Sequence, residues 1–141
     1  MDNSTKQKLC EAVSEIYQHL DKQLDAAGQA CKACGNCCDF ESFGHRLYIT
    51  TPELFYFKNK LKENNLPILP MADGVCPYRK DQRCTVYSWR FSGCRIFSCS
   101  GDADLQSRLS EESITLFKTL CILYGLEYRY LDLKSGLESI Q

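Results

Sequence analysis

The chain has 141 residues, 17 basic and 18 acidic, for a net charge of −1, with 44% hydrophobic and 25% charged side chains. That length fits one domain, residues 1–141, able to bury roughly two-thirds of its unfolded surface, and the composition excludes disorder. The even charge balance leaves no basic footprint for nucleic acid or an anionic membrane.

Residues 4–27 are predicted to form a helix. Leu9, Val13, Ile16, Tyr17, Leu20 and Leu24 recur at helical spacing, Asn3 or Ser4 is available to cap the start, and Gly28 to end it. The opening stretch, MDNSTKQKLCEAVSEIYQHL, lacks the basic-then-apolar layout of a secretory leader. The longest apolar stretch, Leu116 to Leu126, is interrupted by Lys118 and Thr119, so no membrane span is expected. A cytoplasmic protein is the resulting expectation.

Residues 31–48 fit no period. They hold Cys31, Cys34, Cys37 and Cys38 with Gly35, Asn36 and Gly44. A second helix is expected from Thr51 as N-cap, with Pro52 at the first helical position and Glu53 at the positive helix end. Asn64 and Asn65 stop it, ahead of Pro67 and Pro70. Beyond, Val75–Tyr78 and Cys84–Tyr87 read as two short strands joined by the polar turn from Arg79 to Arg83. A third helix is expected with Ser110 as cap, Glu111 and Glu112 in its first turn and Gly125 at its end; Ile114, Phe117, Leu120, Cys121 and Tyr124 form its stripe. Tyr128–Leu133 reads as a short strand or extended segment. The expected fold is mainly α, about three helices, with a small β hairpin and irregular cysteine-rich metal-binding loops.

Ten cysteines are far more than such a chain needs for packing. A secreted protein would use them in disulfides; in a reducing compartment the same count points to metal or redox chemistry. Cys31, Cys34, Cys37 and Cys38 form C-x2-C-x2-C-C, and Cys76, Cys84, Cys94 and Cys99 follow as C-x7-C-x9-C-x4-C. A two-residue spacing lets two sulfurs from one turn reach a single ion, since zinc–sulfur bonds of about 2.3 Å put tetrahedral ligands roughly 3.8 Å apart. Adjacent Cys37 and Cys38 point to opposite sides of an extended chain and suit two different ions better than one. Eight thiols match two tetrahedral zinc sites; alternatively, Cys31, Cys34 and Cys37 with Cys76-Pro77 match the grip on a four-iron cluster, with thiols left over. Zinc and an iron–sulfur cluster both stay open.

Eight thiolates on two divalent zincs sum to −4 and a four-iron cluster on four thiolates to about −2, so nearby cations matter. Lys32, Arg79, Lys80, Arg83, Arg90 and Arg95 adjoin the cysteines in sequence. Most are expected to be solvated, with Arg95, directly after Cys94, the expected polar neighbour of a thiolate. His45 is a possible replacement donor, unneeded with eight cysteines present, and His19 lies mid-helix. Cys10 and Cys121 fall on apolar stripes and read as core residues. Trp89, Phe91 and Phe97 are expected to pack around the metal. No Ser/His/Asp set, carboxylate pair or phosphate loop occurs, so an enzyme is not the leading expectation.

C-x2-C-G-x-C-C at 31–38, C-P-Y at 76–78, C-x-V-Y at 84–87 and C-R-x-F-x-C at 94–99 together resemble the bacterial CxxCxxCC family, described as zinc- or iron-chelating domains. The resemblance covers residues 31–99 and implies that all eight of these cysteines are ligand candidates. A similar set in flagellin lysine-N-methylases, longer enzymes, is associated with an iron–sulfur cluster. It implies, as the alternative, an iron–sulfur enzyme of redox or methyl-transfer type. Where the family usually carries Arg-Pro before the third downstream cysteine, this chain has Arg90-Phe91-Ser92-Gly93.

Overall fold

The computed structural model describes residues 1–28, 47–72, 74–81, 83–97 and 102–141. Their elements in chain order are α1 (Asn3–Ala26), β1 (Tyr48–Thr50), α2 (Thr51–Glu63), β2 (Arg79–Lys80), β3 (Arg83–Cys84), a 3₁₀ turn (Tyr87–Trp89), α3 (Ser92–Ile96), α4 (Ala103–Tyr124), β4 (Tyr130–Asp132) and α5 (Leu133–Ile140). The mainly helical class and the hairpin agree with the sequence. Five described helices replace the expected three.

The α1 stripe is buried as its spacing demands, all six apolar positions facing inward. Its cap is Asp2 rather than Asn3 or Ser4: the Asp2 carboxylate accepts from the Thr5 N–H at 2.7 Å. α2 begins one residue earlier than expected, with Thr50 as N-cap, which makes Glu53 the third helical residue and closes a capping box. Asn65 ends it in the left-handed region (φ +54°), and the Leu66 N–H returns to the Leu61 carbonyl at 2.9 Å. α4 starts two turns before Ser110, where Asp102 accepts from the N–H groups of Asp104 and Leu105. Ser110 is mid-helix, and Leu109 extends the buried stripe toward the true start. Gly125 closes the helix at φ +67°, as expected.

The hairpin is real but shifted. Its strands are Arg79–Lys80 and Arg83–Cys84, inside the stretch expected to be the turn, with Arg79 opposite Cys84 and Lys80 opposite Arg83. Asp81, at φ +51°, supplies the left-handed corner that lets a tight reversal fit there. The larger surprise is a second antiparallel pair, β1 with β4, in register Tyr48–Asp132, Ile49–Leu131 and Thr50–Tyr130. It delivers the chain into α5, a helix the sequence reading missed. Gly136 lets α5 lie close: a Cβ there would run into the Ile49 side chain.

Two apolar clusters make the core. The first joins α1 and α4 through residues such as Leu9, Tyr17, Leu20, Leu109 and Phe117, with Tyr56 and Ile96. The second joins β1, α2 and α5 with Tyr78, Val86 and Phe91. Trp89 packs against both.

A fully buried carboxylate ties these layers together. Glu53 Oε2 accepts from the Thr50 N–H (3.0 Å) and hydroxyl (2.9 Å), while Oε1 accepts from the Tyr17 hydroxyl (3.2 Å) and the Ser92 N–H (2.6 Å). α1, α2 and α3 are thereby fastened to one side chain. Hydrogen bonds to charged groups contribute about 1.5–3 kcal/mol each, and an orphaned buried donor costs about as much. Glu53→Ala should therefore destabilise the chain by about 3–5 kcal/mol in denaturant unfolding. Glu53→Gln, which keeps the shape and one good acceptor, should cost clearly less.

Candidate metal centre

Three of the eight expected ligands lie among the described residues. Cys76, Cys84 and Cys94 are each half-buried and pack against the second apolar cluster. Cys31, Cys34, Cys37, Cys38 and Cys99, together with His45 and Lys32, lie outside the described residues. Among the described residues no three Cys, His, Asp or Glu side chains gather in a metal-holding group, and no disulfide joins two cysteines.

Each described thiol is carried by a very short element. Cys76 opens a turn whose carbonyl accepts the Arg79 N–H at 3.1 Å, leading directly into β2. Tyr78, buried within that turn, donates its hydroxyl to the Pro67 carbonyl (2.9 Å) and accepts from the Leu69 N–H (2.9 Å). It thereby pins the hairpin to the chain leaving α2, and burial pushes its phenol pKa up. Cys84 ends β3, and the next residue, Thr85, donates its N–H to the Tyr78 carbonyl at 2.9 Å.

Cys94 sits in α3, a helix of five residues held from three sides. Its start is fixed by Glu53 through the Ser92 N–H. Gly93 allows a close approach to β1: a Cβ there would lie 2.5 Å from Leu47 Cδ1. Leu47, the first described residue after the C-x2-C-x2-C-C run, therefore lies against Gly93, the residue before Cys94. Phe91 has φ −66°, the value a proline ring imposes. It also buries its ring 4.7 Å from that of Phe57.

Arg95 turns away from the role expected of it. One residue along a helix is a rotation of about 100°, so Arg95 cannot share the Cys94 face. It lies over the Tyr17 ring (4.2 Å), and Nη1 donates to Asp21 Oδ2 (2.7 Å), Nη2 to the Ser88 carbonyl (3.0 Å) and Nε to the Arg90 carbonyl (2.9 Å). It clamps the 3₁₀ turn and α3 against α1. The sequence reading missed both this role and that of Glu53. The Thr50-x-x-Glu53 spacing was the available signal for the latter.

Cys10 and Cys121 stand apart from these three. Cys121 is buried and its thiol is pushed up by burial. Cys10 packs against the first cluster, accepts from Asn59 Nδ2 at 3.2 Å and is also raised by burial. Burial, which at Cys10 outweighs the Asn59 hydrogen bond and nearby Lys60, disfavours the thiolate that a metal requires. His19 is half-exposed, 2.6 Å from Glu112 across the α1–α4 seam. Among the described residues no helix is long and apolar enough to cross a membrane.

Fold and thiol placement together define a cysteine-rich helical domain. The family model described as "Putative zinc- or iron-chelating domain", CxxCxxCC, matches residues 30–122, and the chain belongs to that family. No curated protein and no solved structure gives a significant match.

Arg95→Gln should cost about 2–3 kcal/mol in unfolding of the metal-free chain, because the buried guanidinium loses its bonds to Asp21 and to the carbonyls of Ser88 and Arg90. Asp21→Asn, at the more exposed end of the pair, should cost well under 1 kcal/mol.

Proposed function

We propose that this chain binds metal through the thiolates of Cys31, Cys34, Cys37, Cys38, Cys76, Cys84, Cys94 and Cys99, as zinc or as an iron–sulfur cluster, in a structural or metal-handling role. The observation that carries this reading is the family match over residues 30–122, which spans all eight. The structure supports it through the packing of Cys76, Cys84 and Cys94 against one apolar cluster, with Leu47 bringing the chain from the first cysteine run next to Gly93. The donor chemistry fits: clustered soft thiolates select zinc or iron–sulfur over hard cations. When bound, the metal would supply cross-links between the first run and the hairpin–α3 region. Cys76 and Cys84 would hold it from the hairpin and Cys94 from α3, while the apolar cluster behind them limits water. Two zinc sites with four ligands each would leave no open position for substrate, which suits a structural or carrier role better than catalysis.

Purification without oxygen, followed by a visible spectrum and assays of zinc, iron and acid-labile sulfide, tests this directly. A brown protein with sulfide identifies a cluster; a colourless one with about two zincs per chain identifies paired zinc sites. Stoichiometric absence of both metals from protein whose ten thiols all titrate as reduced would sink the proposal. Cys34→Ser should lower metal content, whereas Cys121→Ser should leave it unchanged.

A further inference from the structure

We propose that Arg79 is a positioned cationic donor to the metal-bound Cys84 thiolate, an inference that rests on the thiolate reading above. Among the described residues, two buried side-chain nitrogens lack a hydrogen-bond partner, Arg79 Nε and Arg90 Nη1. A buried guanidinium N–H without an acceptor is costly, so such an atom calls for a negative or lone-pair partner. The rest of Arg90 is accounted for: its guanidinium lies 3.8 Å from the Tyr87 ring centroid and its Nε donates to the Tyr87 carbonyl. Arg79 has no comparable anchor among the described residues.

The hairpin register sets a candidate acceptor, Cys84, opposite Arg79, although Arg79 Nε does not hydrogen-bond to its sulfur in this structure. Lys80 and Arg83 flank the two-residue reversal, and the next pair outward is Arg79 with Cys84. Beyond it, the Thr85 N–H bonds to the Tyr78 carbonyl. Hydrogen-bonded and non-hydrogen-bonded pairs alternate along an antiparallel ladder, so Arg79 and Cys84 form a non-hydrogen-bonded pair. The side chains of such a pair leave the same face, with Cβ atoms about 4.5–5.5 Å apart. Lys80 and Arg83 leave the opposite face and are exposed, whereas Cys84 faces the second apolar cluster.

A neutral thiol accepts weakly; a metal thiolate carries excess negative charge and accepts well. Arg95, the cation nearest Cys94 in sequence, is already committed to Asp21 and two carbonyls. Arg79 is therefore the cation that offsets charge on the hairpin side of the site. Partners one step outside the ligands commonly change metal affinity by about 10–100-fold when lost.

The test uses the full chain, with Arg79→Gln, Arg79→Lys and, as an equal charge change on the opposite face, Arg83→Gln. Each is loaded with Co²⁺ for spectroscopy and titrated with Zn²⁺ against a chromophoric chelator. Arg79→Gln should weaken zinc binding by about tenfold or more. It should also move the sulfur-to-cobalt charge-transfer band to longer wavelength, because an uncompensated thiolate gives up its electron more easily. Arg79→Lys should restore part of both, and Arg83→Gln should match the wild type. If the wild type carries an iron–sulfur cluster, Arg79→Gln should lower its reduction potential. A band or potential unchanged in Arg79→Gln overturns the inference, as does an equal effect of Arg83→Gln. Band and potential are read only on chains that have taken up metal, so a merely destabilised hairpin would not mimic the shift. A wild type that takes up neither cobalt, zinc nor cluster overturns the thiolate reading itself, and this inference with it.

Discussion

The Glu53 carboxylate is the constraint on which the arrangement of this chain depends. A fully buried charge is tolerated only when its lone pairs are satisfied, and here four donors from three separate elements do so. Two of those donors are backbone N–H groups at helix starts, Thr50 before α2 and Ser92 in α3. Helix starts carry unpaired N–H groups and a partial positive charge, so one anion placed between two of them stabilises both. The Tyr17 hydroxyl brings α1 to the same point, and burial beside this carboxylate holds its phenol well above the usual range. Tyr17 is therefore a neutral donor at any working pH, and the junction does not titrate away through it.

Arg95 completes the junction from the other side. Its guanidinium covers the Tyr17 ring while reaching Asp21 on α1 and the carbonyls of Ser88 and Arg90. Glu53 holds the start of α3 and Arg95 holds its end. A helix of five residues has too few internal bonds to persist alone, so these tertiary anchors supply the order that propensity cannot. Cys94 lies between the two anchors. Its position is set through Glu53 on α2 and through Tyr17 and Asp21 on α1, two long helices.

What was legible in the sequence follows from how local its physical cause is. The α1 stripe and the Gly125 stop are local, and both were read correctly. The start of α2 was misplaced by one residue because Thr50 and Thr51 are equally good caps in isolation; only the box formed with Glu53 separates them. Ser110-Glu111-Glu112 imitates a helix start, yet Leu105 and Leu109 continue the stripe back to Asp102, where the cap is. β1 and α5 were invisible for a different reason. A three-residue strand and an eight-residue helix containing Gly136 carry almost no local signal, and they exist because Ile49, Leu131 and Leu137 find one another across the chain. For the candidate site, the cysteine spacing suggested candidate donors but gave no sign of the residues that support them. Nearness in sequence suggested Arg95 for a thiolate, and helical rotation sends it to α1 instead.

Cys76, Cys84 and Cys94 occupy the least self-sufficient of the described parts of the molecule. Cys76 and Cys84 flank strands of two residues each, a length that is marginal in water, and Cys94 lies in a single short helix. The long helices α1 and α4 meanwhile bury an apolar cluster against which none of Cys76, Cys84 and Cys94 packs. This division separates two contributions to stability. Core burial and the Glu53–Arg95 junction can hold the helical frame without metal, whereas the hairpin has only a few backbone bonds and the Tyr78 anchor. In the proposed site, part of the free energy of metal binding would go into ordering that hairpin and the cysteine runs rather than into forming the whole domain. On the proposed reading, a frame held by its own core could take up and release metal without unfolding globally, which would suit metal handling as readily as permanent structural support.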